Sequence, residues 1–132
     1  MGGPKILVID DKLDMRRLIA FPLQRQLDAE ILHAWGATDG LEIAMATRPD
    51  LIVLDLIMPR LDGWETAALI RSRPETASIP ILALTVACRP CDRIRALEAG
   101  CDVFLPKPFT VAQLIDAVTT MLPCATRPAM AA

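Results

Sequence analysis

The chain has 132 residues and a mass of 14.4 kDa, enough for one domain that buries roughly two-thirds of its unfolded surface around a single core. Fourteen Lys plus Arg against sixteen Asp plus Glu give a formal charge of −2, which supplies no electrostatic footprint for a nucleic-acid backbone or an anionic membrane. Apolar residues make up 53% and charged residues 23%, a balance that excludes intrinsic disorder as the ground state. In chain order, Lys5-Ile6-Leu7-Val8-Ile9-Asp10 is an apolar run ending in acid and reads as a strand buried on both faces. A helical stripe follows at Met15, Leu18, Ile19, Leu23 and Leu27, in which Pro22 removes one backbone donor and is expected to kink or interrupt the helix. Ala29 to Ala34 is a second strand, Gly36 and Gly40 punctuate the turn after it, and a helix is expected near Asp39 to Thr47.

Leu51-Ile52-Val53-Leu54-Asp55, set off by Pro49, repeats the design of the first strand. Asp62-Gly63-Trp64-Glu65 opens a third helix like a capping box, and Pro74 lies beyond its end. Pro80 to Thr85 forms the fourth strand, Asp92 to Ala99 a short fourth helix stopped by Gly100, and Val103-Phe104-Leu105 the fifth strand. Thr110-Val111-Ala112-Gln113 is a capping box for a last helix with an apolar stripe at Val111, Leu114, Ile115, Val118 and Leu122, ended by Pro123. Residues 1–122 are thus expected to form the domain, with 123–132 a disordered tail or truncated linker. Strict alternation of strand and helix predicts an α/β fold, a doubly wound parallel sheet with helices on both faces and right-handed crossovers. Such sheets bind ligands beyond the carboxyl ends of their strands.

At those ends stand Asp10 and Asp11 after the first strand, Asp55 after the third, Thr85 after the fourth and Lys107 after the fifth. Each alone has a plainer reading: helix capping for the paired acids, a strand terminus for Asp55, a turn hydroxyl for Thr85, a solvated charge for Lys107. Their joint placement at one sheet edge is the signal. Two carboxylates ~4 Å apart repel by ~4 kcal/mol at an effective dielectric of ~20, so three clustered acids need a cation. Oxygen donors suit Mg²⁺ better than zinc, His33 being the single histidine.

In this arrangement the chain resembles the receiver domain of two-component response regulators, of the single-domain chemotaxis-regulator type, over roughly residues 4–122. The matching pieces are Ile9-Asp10-Asp11, Leu54-Asp55, Met58-Pro59-Arg60-Leu61-Asp62-Gly63, Leu84-Thr85, Ala99-Gly100-Cys101-Asp102 and Phe104-Leu105-Pro106-Lys107-Pro108-Phe109. The resemblance implies a flavodoxin-like five-stranded sheet of order 2-1-3-4-5. It implies that Asp55 accepts a phosphoryl group from a histidine of a sensor kinase or phosphotransfer protein, with Mg²⁺ held by Asp10, Asp11, Asp55 and the backbone carbonyl of Ile57. Lys107 would pair with one phosphoryl oxygen and Thr85 donate its hydroxyl to another. The Lys107–Pro108 bond is cis in similar proteins and would aim Lys107 at the site. Phe104 stands where the family carries a switch aromatic that responds to Thr85, a position equally readable as a core Phe. Such a protein catalyses its own phosphorylation and dephosphorylation without being a turnover enzyme. It would signal to a downstream protein target through the face of the fourth helix, fifth strand and last helix, as a monomer or weak dimer.

Three departures from the family pattern bear on rate. Val86 follows Thr85 where Ala or Gly is usual and is expected to crowd a phosphoryl donor. Ile57 and Ala87 replace side chains that can orient a hydrolytic water, which predicts a long-lived phospho-Asp55. Three alternatives are a receiver-like scaffold that works without phosphorylation, a flavodoxin-like electron carrier, and a redox pair at Cys88 and Cys91. The second lacks a phosphate-binding loop after the first strand, and the third sits in the wrong fold context. No apolar run approaches the ~20 residues of a membrane span, and Met1 to Lys5 lacks the apolar core of a signal peptide. A cytoplasmic protein with reduced thiols and no direct contact with membrane or nucleic acid is expected.

Overall fold

A computed structural model of the chain describes residues 3–56, 63–85, 94 and 100–122. Five strands, β1 (Lys5–Ile9), β2 (Glu30–Ala34), β3 (Leu51–Asp55), β4 (Ile81–Thr85) and β5 (Val103–Pro106), form one parallel sheet in the order β2-β1-β3-β4-β5. Among the described residues the helices are α1 (Leu13–Leu27), α2 (Ala37–Thr47), α3 (Gly63–Arg71) and α4 (Val111–Met121). Ile94 is helical, as expected of the segment Asp92 to Ala99, the rest of which lies outside the described residues, as do 123–132 and the Cys88–Cys91 pair. The α/β, doubly wound, flavodoxin-like architecture and its strand order agree with expectation.

The central strands alternate their side chains between two cores, which is why they read as unbroken apolar runs. Leu7, Ile9, Ile52, Leu54, Ile81 and Ala83 face α2 and α3, meeting Ala44, Ala67 and Ile70. Ile6, Val8, Leu51, Val53, Leu82 and Leu84 face α1 and α4, meeting Ile19, Leu23, Leu114, Val118 and Leu122. Because all strands run the same way, both cores leave the residues after each strand gathered at one edge.

The expected interruption at Pro22 does not occur, and α1 runs unbroken from Leu13 to Leu27 with Pro22 buried. The carbonyl that loses its donor belongs to Leu18, a residue exposed on the outer flank of the helix. α1 then stops at Asp28, whose left-handed φ of 53° turns the chain and lets its N–H bond to Leu23 O. α2 begins at Ala37, two residues before Asp39, because Asp39 Oδ2 accepts from Trp35 N and so belongs to the first turn. The Thr110–Gln113 capping box is present in both directions, at 3.0 and 2.8 Å. Val111, placed on the apolar stripe of the last helix by its spacing, is half exposed at the rim, while Leu114 and Val118 are buried.

The opposite edge of the sheet is braced by Arg71 at the end of α3. Its Nε donates to Gly100 O at 2.9 Å, its Nη1 to Ala77 O and Ile79 O at 2.9 and 2.6 Å, and its Nη2 to the Asp102 carboxylate. The same Asp102 Oδ2 accepts from Ile81 N, so one side chain ties α3 to the starts of β4 and β5. Gly100, at φ 107°, passes so close that an added Cβ would lie 2.4 Å from Arg71 Cγ.

Candidate functional site

β1 and β3 are neighbours in register, Ile9 beside Leu54, so the residues that follow them emerge side by side. One carboxylate oxygen from each of Asp10, Asp11 and Asp55 can be chosen such that all three lie within 4.8 Å of one another. Asp10 is fully buried and Asp55 nearly so. Lys107, delivered by the chain after β5, brings its Nζ to 3.4 Å from Asp55 Oδ1, and its side chain is 16% exposed. Lys107–Pro108 is a cis peptide, as the resemblance implies.

The Asp10 carbonyl and amide are both committed. Asp10 N donates to Ala34 O at 3.0 Å, which extends the β1–β2 ladder by one bond, and its carbonyl accepts from Arg16 Nη1 at 2.7 Å. In the side chain, Oδ1 accepts from Lys12 N at 2.9 Å, while Oδ2 is buried with no donor among the described residues. Burial, opposed by the Lys12 N–H and reinforced by the neighbouring Asp55 charge, pushes the Asp10 carboxyl up to about 6. A buried carboxylate oxygen without a donor, within reach of two more carboxylates, is the environment a hard divalent cation relieves. The residues present therefore fit such an ion.

Thr85 ends β4 opposite Pro106 and one residue past Leu84, the partner of Asp55, so its backbone stands at the same edge; its hydroxyl lies outside what is described. Ile57, Val86 and Ala87 also lie outside the described residues. Phe104 pairs with Ala83 across β4 and β5 and is partly buried against the α2–α3 core. Sequence reasoning overlooked Arg16, a buried guanidinium on α1 that belongs to this site through the Asp10 carbonyl. Its signal was its spacing: Arg16, Ile19, Leu23 and Leu27 share one helical face, so a charge sits on the apolar stripe.

Residues 6–119 match the response regulator receiver domain family, and the chain belongs to it. It is 33% identical over 121 residues to protein PilG of Pseudomonas aeruginosa, an alignment covering 92% of this chain and 89% of that one. It is 34% identical over 119 residues to the DNA-binding dual master transcriptional regulator RpaA of Synechocystis, covering 90% of this chain and 49% of RpaA. The chain thus spans about half the length of RpaA and nearly the whole of PilG. The crystallised chemotaxis protein CheY4 of Vibrio cholerae superposes with a TM-score of 0.86 at 27% identity, over 92% of this chain and 100% of that one. No described helix is long and apolar enough to cross a membrane.

Proposed function

We propose that the chain is a phosphorylation-driven switch in which Asp55 takes a phosphoryl group from the phosphohistidine of a sensor kinase or phosphotransfer protein. The observation that carries this reading is the Lys107 ammonium 3.4 Å from Asp55 Oδ1, beside a cluster of three carboxylates of which Asp10 and Asp55 are buried. An Asp55 carboxylate oxygen forms the new O–P bond while the N–P bond of the donor breaks, and the departing imidazole keeps the electron pair and takes up a proton from water. A phosphoryl transition state spreads negative charge over its equatorial oxygens, so positioning and charge neutralisation supply most of the rate. Mg²⁺, held by Asp10, Asp11, Asp55 and the Ile57 carbonyl, would neutralise that charge and allow an anionic donor to approach three acids.

Lys107 then serves the transferred group as a point charge. Before transfer it pairs with Asp55; afterwards the same ammonium faces a phosphoryl oxygen, which changes the pull on the loop after β5. Thr85 donates its hydroxyl to a second oxygen, and Phe104 two residues before Pro106 follows the rearrangement. The altered surface of β5, α4 and the segment 92–99 is what a downstream protein reads, and the activity is self-modification rather than turnover.

Incubation with phosphoramidate and Mg²⁺, read by intact mass, tests this. A single phosphate-sized gain that disappears with chelator and in Asp55→Ala is expected; equal gain in the variant would refute the assignment.

A further inference from the structure

We propose that Arg16 is a positioning residue of the acidic site, its guanidinium gripping the Asp10 carbonyl so that the Asp10–Asp11 peptide plane holds both carboxylates toward Asp55. This inference rests on the reading of Asp10, Asp11 and Asp55 as a divalent-cation site.

The chain leaves β1 and must enter α1 within three residues, Asp10 to Lys12, while presenting two successive carboxylates to one point. Successive side chains of an extended chain point to opposite sides, so the peptide between the two acids has to be rotated and held. Three hydrogen bonds account for that hold. The Asp10 amide is fixed to Ala34 O, its Oδ1 to Lys12 N, and its carbonyl to Arg16 Nη1. Of these partners Arg16 is the one side chain, and it fixes the oxygen of the peptide that joins the two acids. With those three groups committed, Oδ2 is left buried and without a donor among the described residues, available to a cation.

Arg16 is costly to place there. It is 8% exposed, its Nε is buried without a partner, and no carboxylate among the described residues lies within ion-pair distance of it. A guanidinium recruited for stability would be expected to meet an acid or to have its donors satisfied. Instead its 2.7 Å bond goes to the main chain of a residue in the acidic cluster. Arg16 N also bonds to Lys12 O at 3.1 Å, so the helix that carries the guanidinium begins from the same turn it braces.

Mn²⁺, a hard ion that favours oxygen ligands, is the probe, with the free ion counted by electron paramagnetic resonance and Mg²⁺ used to compete. Groups that orient metal-binding side chains typically change affinity by about 10–100-fold when removed, and Arg16→Met is expected to weaken Mn²⁺ binding by about 10-fold or more. Arg16→Lys keeps a donor able to reach the carbonyl and is expected to recover most of that loss. Circular dichroism melting reports whether each variant is folded; should Arg16→Met not fold, Arg16→Gln, with an amide on a stem two atoms shorter, carries the same expectation. Ile19→Val, a neighbouring core change on the same helix, is expected to bind Mn²⁺ as the parent does. Equal affinity in a folded Arg16→Met or Arg16→Gln, or an equal loss in Ile19→Val, overturns the role of Arg16 alone. A parent protein that binds neither Mn²⁺ nor Mg²⁺ overturns the cation-site reading, and the role of Arg16 with it.

Discussion

The Nζ of Lys107 stands 3.4 Å from Oδ1 of Asp55, and both side chains are largely shielded from solvent. Within the cluster the ammonium is therefore a counter-charge to the acids, and under the proposed function it is also the group that meets a phosphoryl oxygen. Breaking a buried pair by removing one partner typically costs about 3 kcal/mol or more, because the remaining charge is left uncompensated. Lys107→Met, which keeps the stem, is expected to lower the melting temperature in chelator and to slow phosphorylation of Asp55 at least 10-fold. Parent-like rates with a parent-like melt would show that the ammonium serves neither purpose.

The raised Asp10 carboxyl makes a signed prediction about pH. Its folded-state value of about 6 lies above the ordinary aspartate value of 3.8, so the cation-free fold is favoured most below the lower number and loses that contribution as pH rises through the upper one. The loss amounts to about 3 kcal/mol at most. Asp10→Asn keeps the acceptor for Lys12 N and removes the charge. In chelator it is expected to melt higher than the parent at pH 7.5 and to show no such advantage at pH 4 or below, with Mg²⁺ stabilising the parent and not the variant. A variant that gains equally at both pH values would place the cause in packing.

The brace at the far edge predicts a stability effect without loss of chemistry. Arg71→Met removes a donor from three carbonyls and from the Asp102 carboxylate, which keeps Ile81 N, and is expected to cost about 2–4 kcal/mol in denaturant unfolding. Gly100→Ala must both occupy φ 107° and displace Arg71, and is expected to destabilise by about 1–3 kcal/mol. Phosphorylation of Asp55 should persist in either variant at a temperature where it remains folded.

Strand existence was legible because a parallel strand buried on both faces writes itself as four or five consecutive apolar residues, as at Ile6 to Ile9 and Leu51 to Leu54. The order of strands is a long-range property that no local pattern contains, and it came from the family resemblance. At Pro22 the sequence allowed a kink or an interruption, and the helix is not interrupted there: the ring packs on the buried side of α1 beside Leu23. Of the site, the acids and Lys107 were readable from their positions after apolar runs. Arg16 was not singled out, although it shares a helical face with Ile19, Leu23 and Leu27. The Arg71–Asp102 pair joins residues 31 apart in sequence, across elements whose proximity depends on the sheet order.

Lifetime of the modified protein depends on residues read from sequence alone. Ile57 and Ala87 stand two residues after Asp55 and Thr85 in the sequence, and neither apolar side chain offers a polar atom to orient water for attack on a phosphoryl group. Ile57→Asn is expected to shorten the half-life of phospho-Asp55, measured by loss of label after donor removal, and Val86→Ala to speed phosphorylation by small donors. Unchanged half-life in the first variant, or an unchanged rate in the second, would refute the respective expectation.

The central claim is the identity of the acceptor. Borohydride reduces an aspartyl phosphate to homoserine, so reductive trapping after treatment with donor and Mg²⁺, followed by peptide sequencing by mass spectrometry, reads the modified residue directly. Homoserine at position 55 and not at 10 or 11, formed with Mg²⁺ and abolished by chelator, is the predicted result. Homoserine at Asp10 or Asp11, or none in a protein that has gained phosphate, would contradict it.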